Sequence, residues 1–344
     1  MPVFEGVITR SGGPDVFEVR ERPSTPCGPG QVRIAVAFAG VNFADLAARA
    51  GPYGPAPKPP FAPGFEVAGT VSEAGAASGF AVGDRVLSGC RFGGYASEVV
   101  VDAGRARRLP EGMSFEEGAA LVAQYLTAYH ALTRVAHARA GEVVLIHACA
   151  GGVGTAAVQL CRALGLRSVG TSSSAEKLAY AKGQGLEVGI DYAREDFETA
   201  VRRSFPRGVD VALDANGGAS FGKSFRCLAT GGRLVVYGAA AALPSARTVE
   251  AIREWPRAAW EFARQRWFHP FELIERNVAV AGLQILLLWD DLALLGGELD
   301  ELLELYRRGL VKPVVDRVFP LADAASAHRY LAERRTRGKV LLAP

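Results

Sequence analysis

Val143-Val144-Leu145-Ile146-His147-Ala148-Cys149-Ala150-Gly151-Gly152-Val153-Gly154, followed by an apolar helical pattern from Thr155 to Leu164, decides how the rest of this chain is read. An apolar run that ends in closely spaced glycines and passes into a helix is a strand-to-helix turn. Glycine there lets the backbone approach a pyrophosphate, and the helix N-terminus adds free amides and a positive dipole end. A glycine string alone is weak evidence, so its surroundings matter. Downstream lie Ser168–Thr171, a helix near Lys177, Val209–Asp214 and Arg233–Tyr237. This alternation calls for a parallel sheet with right-handed crossovers. A doubly wound α/β domain binding a dinucleotide is therefore expected, with Ala150, Gly151, Gly152 and Val153 at the phosphates.

Working outward, the region up to about Val122 has a different texture. Glycine, proline and short β-branched runs (Gln31–Ala37, Glu66–Val71, Glu98–Val101) read as antiparallel strands joined by turns. Ser114 with Glu117 forms a capping box ahead of a bridging helix. Beyond the cofactor domain, amphipathic helices around Leu302–Arg308 and Ala322–Glu333 and a closing strand Lys339–Ala343 are expected to return to the first domain. The expected division is 1–124, 125–285 and 286–344. A length of 344 residues suits two domains, and 49% hydrophobic with 22% charged residues is a globular balance. The longest apolar run, Val278–Trp289, is too short to span a bilayer, and no signal pattern opens the chain, so a cytoplasmic protein without a membrane span is expected. A net charge of +3 with no dense basic run argues against nucleic acid as a partner. Cysteines 27, 90, 149, 161 and 227 show no paired spacing and read as isolated thiols.

The second strand of the parallel sheet indicates which nicotinamide nucleotide is bound. A site for NAD places a carboxylate near that strand's end to hold the ribose 2′-hydroxyl. This chain has Gly170-Thr171-Ser172-Ser173-Ser174 and then Lys177. Hydroxyls and a lysine suit a dianionic 2′-phosphate, which a carboxylate would repel. NADPH is the expected cofactor, held by Ser172, Ser173 and Lys177, with Tyr192 after the next strand completing the pocket. The plainer reading makes Ser174 a helix cap and Lys177 a solvated side chain. His130 and His137 lie in a helical stretch with no evident carboxylate partner and are read as structural.

Gly40-Val41-Asn42-Phe43-Ala44-Asp45, Gly83-Asp84-Arg85-Val86, the glycine turn and Gly338-Lys339-Val340-Leu341-Leu342 carry a family resemblance over essentially the whole chain. The chain resembles the medium-chain dehydrogenase/reductase superfamily, in particular its zinc-independent quinone oxidoreductase branch with the synaptic-vesicle membrane transport protein homologues and related enoyl reductases. The resemblance implies a GroES-like β-rich catalytic domain split around a Rossmann cofactor domain. It also implies a homodimer formed through the strand Val278–Gln284. Zinc-dependent members hold a metal at positions that match Asn42, Phe65 and Ala123 here, none of which can ligate zinc. No metal is therefore expected.

Reduction of a conjugated double bond needs no Lewis acid, because hydrogen-bond donors and a positioned cofactor can carry the developing enolate. The resemblance assigns Asn42 to the nicotinamide ribose or substrate, sets Asp45 beside it, and places Tyr53 where enoyl-thioester reductases use a tyrosine. Tyr53 reads equally well as a proton donor or as an aromatic lining a cleft. Gln124 and Thr127 are expected at the nicotinamide site, and Tyr237, Gly238 and Arg334 complete the cofactor-binding set. A block from Ala246 to His269 interleaves arginines with tryptophans and phenylalanines. It reads either as an amphipathic helix or as a lid whose Arg257 and Arg264 meet the phosphates of coenzyme A. The favoured activity is NADPH-dependent reduction of a short enoyl-CoA thioester. Quinone reduction and a non-catalytic NADPH-binding role are the alternatives.

Overall fold

A computed structural model describes residues 2–51, 53–240, 260 and 268–344. The chain opens with an antiparallel pair, β1 (Val3–Ile8) and β2 (Phe17–Arg22). The long β3 (Gln31–Val41) runs into α1 (Phe43–Ala50), and β4 (Glu66–Ala74), β5 (Arg85–Gly89), β6 (Glu98–Asp102) and β7 (Ala106–Arg108) follow. The Ser114 capping box starts α2 (Phe115–Ala119), with the Glu117 amide donating to Ser114 Oγ at 3.1 Å and the Ser114 amide donating to Glu117 Oε2 at 3.1 Å. Helix α3 (Val122–His130) then leads to β8 (Val143–Ile146), α4 (Gly152–Ala163), β9 (Arg167–Ser172), α5 (Ala175–Gly183), β10 (Val188–Asp191), α6 (Phe197–Ser204), β11 (Val209–Asp214), α7 (Ala219–Arg226) and β12 (Leu228–Val236). After the helix Pro270–Arg276 come β13 (Ala279–Gly282), a long helix Leu292–Arg307, β14 (Val315–Pro320), the helix Ala324–Ala332 and β15 (Lys339–Ala343).

Two sheets divide these strands. The order β10-β9-β8-β11-β12-β13 is parallel throughout. Every residue of β8 is buried, as a central parallel strand covered by helices on both faces requires. Succession runs outward in both directions from β8, so the crevice between β8 and β11 at the strands' carboxyl ends is the switch point where this topology binds ligands. The second sheet, in the order β14-β15-β3-β4-β5-β7 with β6 also on β3, is antiparallel except for the β14–β15 pair. The protein thus joins a GroES-like β domain to a Rossmann sheet, and β14 and β15 bring the chain's end back beside β3. The helix Leu292–Arg307 instead packs Leu299, Leu302 and Leu303 into the core shared by α3, α4 and β8.

Periodicity located the elements well and misjudged some ends. Helix α4 begins at Gly152, inside the glycine run, and Leu292–Arg307 starts ten residues before Leu302, the expected beginning of its amphipathic pattern. The apolar stretch from Val278 forms a strand only over Ala279–Gly282 and then turns into 3-10 helix at Ile285–Leu288. His130 does have a carboxylate partner: its Nδ1 lies 2.9 Å from Oε1 of the fully buried Glu298, 168 residues further along the chain. Such a pair could not be seen from local spacing. His137 lies past the helical segment, with a positive φ of 45°.

Candidate functional site

The glycine turn is built for close approach. Gly154 is packed so that an added Cβ would fall 2.2 Å from the Ala148 carbonyl oxygen, a contact no side chain tolerates. The left-handed residue of the turn is Ala148, with φ 50°. An alanine there stores strain that the surrounding strands must hold in place. Gly151 caps α4 without any side-chain hydrogen bond, so the first-turn amides of Gly152 and Val153 are not capped from within the chain. Ala150 is buried, and its carbonyl accepts from the Gly338 amide at 3.0 Å, which ties the turn to the last strand of the other sheet.

The residues expected to hold the 2′-phosphate lie at the end of β9. Ser172 is buried, Ser173 is exposed, and Ser174 caps α5 by accepting from the Lys177 amide at 3.3 Å. The plain reading of Ser174 is therefore correct, while Lys177 is not free in solvent. Its ammonium donates to the Arg334 carbonyl, and its pKa is lowered first by burial and then by the cations Arg334 and Arg337. Arg334, at φ 55°, donates to the Ala240 carbonyl at 3.2 Å. Tyr192 is 45% exposed, and its amide donates to the Ser172 carbonyl at 3.1 Å. Lys177 thus has Arg334 and Arg337 near it, the latter ion-paired with Glu176 at 2.7 Å, close in sequence to the exposed Ser173, a charge balance compatible with a 2′-phosphate. Tyr237, its pKa raised by burial, is anchored through its amide to the Asp214 carbonyl at 3.1 Å, and the exposed Gly238 follows it.

Beneath this end of the sheet, His147 joins the loops from below. Its Nδ1 lies 2.9 Å from Thr171 Oγ1 and its Nε2 2.8 Å from Ser224 Oγ, whose hydroxyl donates to Asp214 Oδ2 at 2.6 Å. Burial lowers the His147 pKa and favours the neutral ring, which can serve as donor at one nitrogen and acceptor at the other.

At the junction between the sheets, five polar groups from distant segments meet. Glu66, at the start of β4, and Lys339, at the start of β15, form a fully buried ion pair. Lys339 Nζ also donates to Asn42 Oδ1 at 2.6 Å, and Asn42 Nδ2 donates to Glu66 Oε1 at 3.0 Å. The Ala123 amide donates to Glu66 Oε2 at 2.7 Å. The orientation of the Gln124 amide that satisfies both its ends puts Oε1 3.1 Å from Lys339 Nζ and Nε2 3.1 Å from the Gly152 carbonyl. Gly40 makes room for this, since an added Cβ would lie 2.4 Å from Glu66 Oε1. Thr127 donates to the Ala123 carbonyl at 2.6 Å, one turn further along α3. Sequence reading brought Asn42, Gln124 and Thr127 here and missed Glu66 and Lys339. The missing signal was a pair of opposite charges, each standing first in its strand ahead of an apolar run.

Two residues expected at the chemistry stand differently. Asp45 is fully buried and does not open onto a cleft: it accepts from the amides of Asn42 (2.8 Å) and Gly64 (3.0 Å) and from the Tyr95 hydroxyl (3.2 Å), which in turn contacts His328 Nε2 at 3.0 Å. Burial raises its pKa to about 7 against these donors. Its place is that of a cap under Asn42. Tyr53 is half-buried beside Phe65, ring centroids 6.2 Å apart, and Phe65 packs on Phe92 at 5.1 Å. Burial raises its pKa, and Gln284 nearby offsets part of that rise. Arg257 and Arg264, with the rest of the interleaved block apart from Trp260, Phe268 and His269, lie outside the described residues.

A Rossmann sheet with an uncapped glycine turn, a cationic pocket at the end of β9 and a GroES-like domain folded against it define an NADPH-dependent oxidoreductase. Among the described residues no group of three His, Cys, Asp or Glu is placed to hold a metal, and the three positions matching zinc ligands carry an amide, a phenyl ring and a methyl. The comparisons agree with this class. Residues 28–111 match the alcohol dehydrogenase GroES-like domain and residues 184–342 the family described as zinc-binding dehydrogenase. The chain is 38% identical over 343 residues to the synaptic vesicle membrane protein VAT-1 homolog of Rattus norvegicus, covering 98% of this chain and 83% of that protein. It is 33% identical over 355 residues to a 2-haloacrylate reductase of Burkholderia sp, covering 99% of each. Among solved structures, the quinone oxidoreductase of Thermus thermophilus, also determined with NADPH, superposes with a TM-score of 0.82 at 37% identity, covering 99% of this chain and 100% of that one. The chain belongs to the medium-chain dehydrogenase/reductase superfamily, in its zinc-independent branch with the VAT-1 homologues and quinone oxidoreductases.

Proposed function

We propose that the protein reduces the conjugated C=C bond of an α,β-unsaturated carbonyl compound, with a short enoyl thioester as the favoured substrate class. The observation that carries this reading is the junction at Asn42, an amide donor anchored to Glu66 and Lys339, with Tyr53 and Phe92 packed on Phe65, the residue preceding Glu66. Bound NADPH supplies the hydride. The chain's own residues bind and orient: Asn42 offers an N–H to the developing enolate oxygen or the nicotinamide ribose, Tyr53 is close enough in sequence and space to Phe65 to bound the acceptor, and the aromatic wall keeps water from it. Asp45 acts through Asn42 by holding its backbone amide. A haloacrylate is itself a conjugated C=C acid, so the Burkholderia relative supports this substrate class.

Quinone reduction is the second reading, favoured by the likeness to the Thermus enzyme. Following NADPH oxidation with enones, enoyl-CoA esters, 2-haloacrylate and quinones separates the two. Turnover of the enones at least about tenfold more efficient than that of the quinones is expected. Quinones as the better substrates would overturn the first reading, and no turnover of any acceptor would leave an NADPH-binding protein. The proposed CoA handle rests on Arg257 and Arg264: replacing both with alanine should weaken use of a CoA ester and spare the same enoyl group on a short thiol. The strand Ala279–Gly282 ends the parallel sheet, which supports a homodimer paired along it. Sedimentation at micromolar concentration tests that.

A further inference from the structure

Lysine carries three donors and no acceptor. Lys339 Nζ has three partners: Glu66 Oε1, Asn42 Oδ1 at 2.6 Å and Gln124 Oε1 at 3.1 Å. No proton remains for a substrate, so Lys339 is not an acid in the reaction. What it does is consume the carbonyl end of the Asn42 amide. The other end is fixed from the opposite side, with Nδ2 donating to Glu66 Oε1 at 3.0 Å. Turning the amide over would set its NH2 against an ammonium and its oxygen against a carboxylate, both out of reach of water, where such clashes are strongest. The second amide hydrogen has only a long contact, 3.4 Å, to the Gly40 carbonyl, and can be given to a ligand.

From this geometry we infer that Lys339 and Glu66 are positioning residues: the pair locks the Asn42 amide one way round, so that Asn42 presents an N–H and never its carbonyl to what is bound in the cleft. The inference rests on the reading of Asn42 as a donor to substrate or nicotinamide ribose. A buried ion pair is a weak source of net stability compared with an apolar pair of the same size, so orientation is what this one contributes beyond packing. Lys339 also extends the lock to the cofactor turn, because Gln124 passes from its ammonium to the Gly152 carbonyl. The position that would hold a metal ligand in zinc-dependent relatives is here an amide held by two charges.

The chain contains only three asparagines, Asn42, Asn216 and Asn277, so the full-length protein labelled with 15N-asparagine gives three side-chain NH2 pairs. In the unliganded wild type, one Asn42 hydrogen should exchange slowly and the other shift when NADPH or an enone is added. Lys339→Met/Glu66→Gln removes both charges together and leaves one acceptor oxygen for the two donors Asn42 and Ala123. Its Asn42 pair should move to freely exchanging values and kcat fall about tenfold or more. Adding Asn42→Ala to that variant should then lower kcat by no more than about twofold, because groups acting through one residue are not additive. If the losses multiply, or the Asn42 signals do not move, the inference is overturned. Asn42→Asp keeps the contact to Lys339 and offers no N–H, so it provides the check if the double variant does not fold. Asn42→Asp should lose as much kcat as Asn42→Ala, and retained turnover would sink the inference. Absence of turnover in the wild type would overturn the proposed activity, while the NMR arm would still decide the orientation of the amide.

Discussion

The glycine turn and the Asn42 junction, bridged by Gln124, are built in opposite ways. The turn is local: Ala148 to Gly154 folds against its own neighbours, and Gly154 is fixed by the Ala148 carbonyl six residues earlier. The junction is assembled from Gly40, Asn42, Glu66, Ala123, Gln124 and Lys339, with Lys339 bonded to a partner 297 residues away in sequence. Backbone geometry makes the first site, and long-range charge balance makes the second. The first therefore fails by steric displacement, the second by leaving a charge alone.

The largest expected effect comes from that lone charge. Lys339→Met should cost about 3–5 kcal/mol in urea unfolding because Glu66 stays buried without its partner, while Lys339→Met/Glu66→Gln should recover most of it. Equal loss in both variants would mean the junction is held by packing and the contrast with the turn disappears. Next comes Gly154→Ala, where the added Cβ meets backbone. A loss of about 1–3 kcal/mol and NADPH binding weakened about tenfold or more are expected by denaturation and fluorescence titration. Gly183→Ala, in a helix with nothing within 4 Å of the added Cβ, should instead be neutral or stabilising by up to about 1 kcal/mol. Similar behaviour of the two glycines would break the steric account of the turn.

Smaller is the change at the 2′-phosphate pocket. Lys177→Ala should weaken NADPH by about fivefold, roughly 1 kcal/mol once solvent screening is allowed for, and leave NADH unaffected. A parallel loss for both nucleotides would move Lys177 from selectivity to support of the Arg334 loop.

The last effect concerns pH. Asp45 ordinarily titrates near 3.8, and burial raises it to about 7 in the folded protein. The folded state therefore holds this proton where the unfolded chain has released it, so the contribution is present below pH 4 and is lost as pH rises through 7. The melting temperature should fall between pH 5 and 8 in the wild type and fall less in Asp45→Asn, although that variant starts lower because its NH2 faces an amide donor. An unchanged slope would show that Asp45 is ionised throughout.

Much of this was legible beforehand. The parallel sheet and the glycine turn follow from periodicity, and NADPH follows from which charges a 2′-phosphate accepts. The reading stopped where partners are distant: Glu298 for His130, and Tyr95 and Gly64 for Asp45. Asp45 looked reactive because it stands three residues from Asn42, yet three residues is also the spacing of a helix cap, and burial decides between the two.

By itself the sequence determined the two-sheet architecture and the nucleotide, because strand periodicity, glycine sterics and the charge of a short loop are local properties. Only the tertiary structure decided what each polar group in the cleft does. Lys339 ends as a silent cation because three acceptors from three segments exhaust its protons. Asn42 is oriented because opposite charges from β4 and β15 meet at its two ends. Burial and partner count belong to the folded assembly, and no spacing along the chain encodes them.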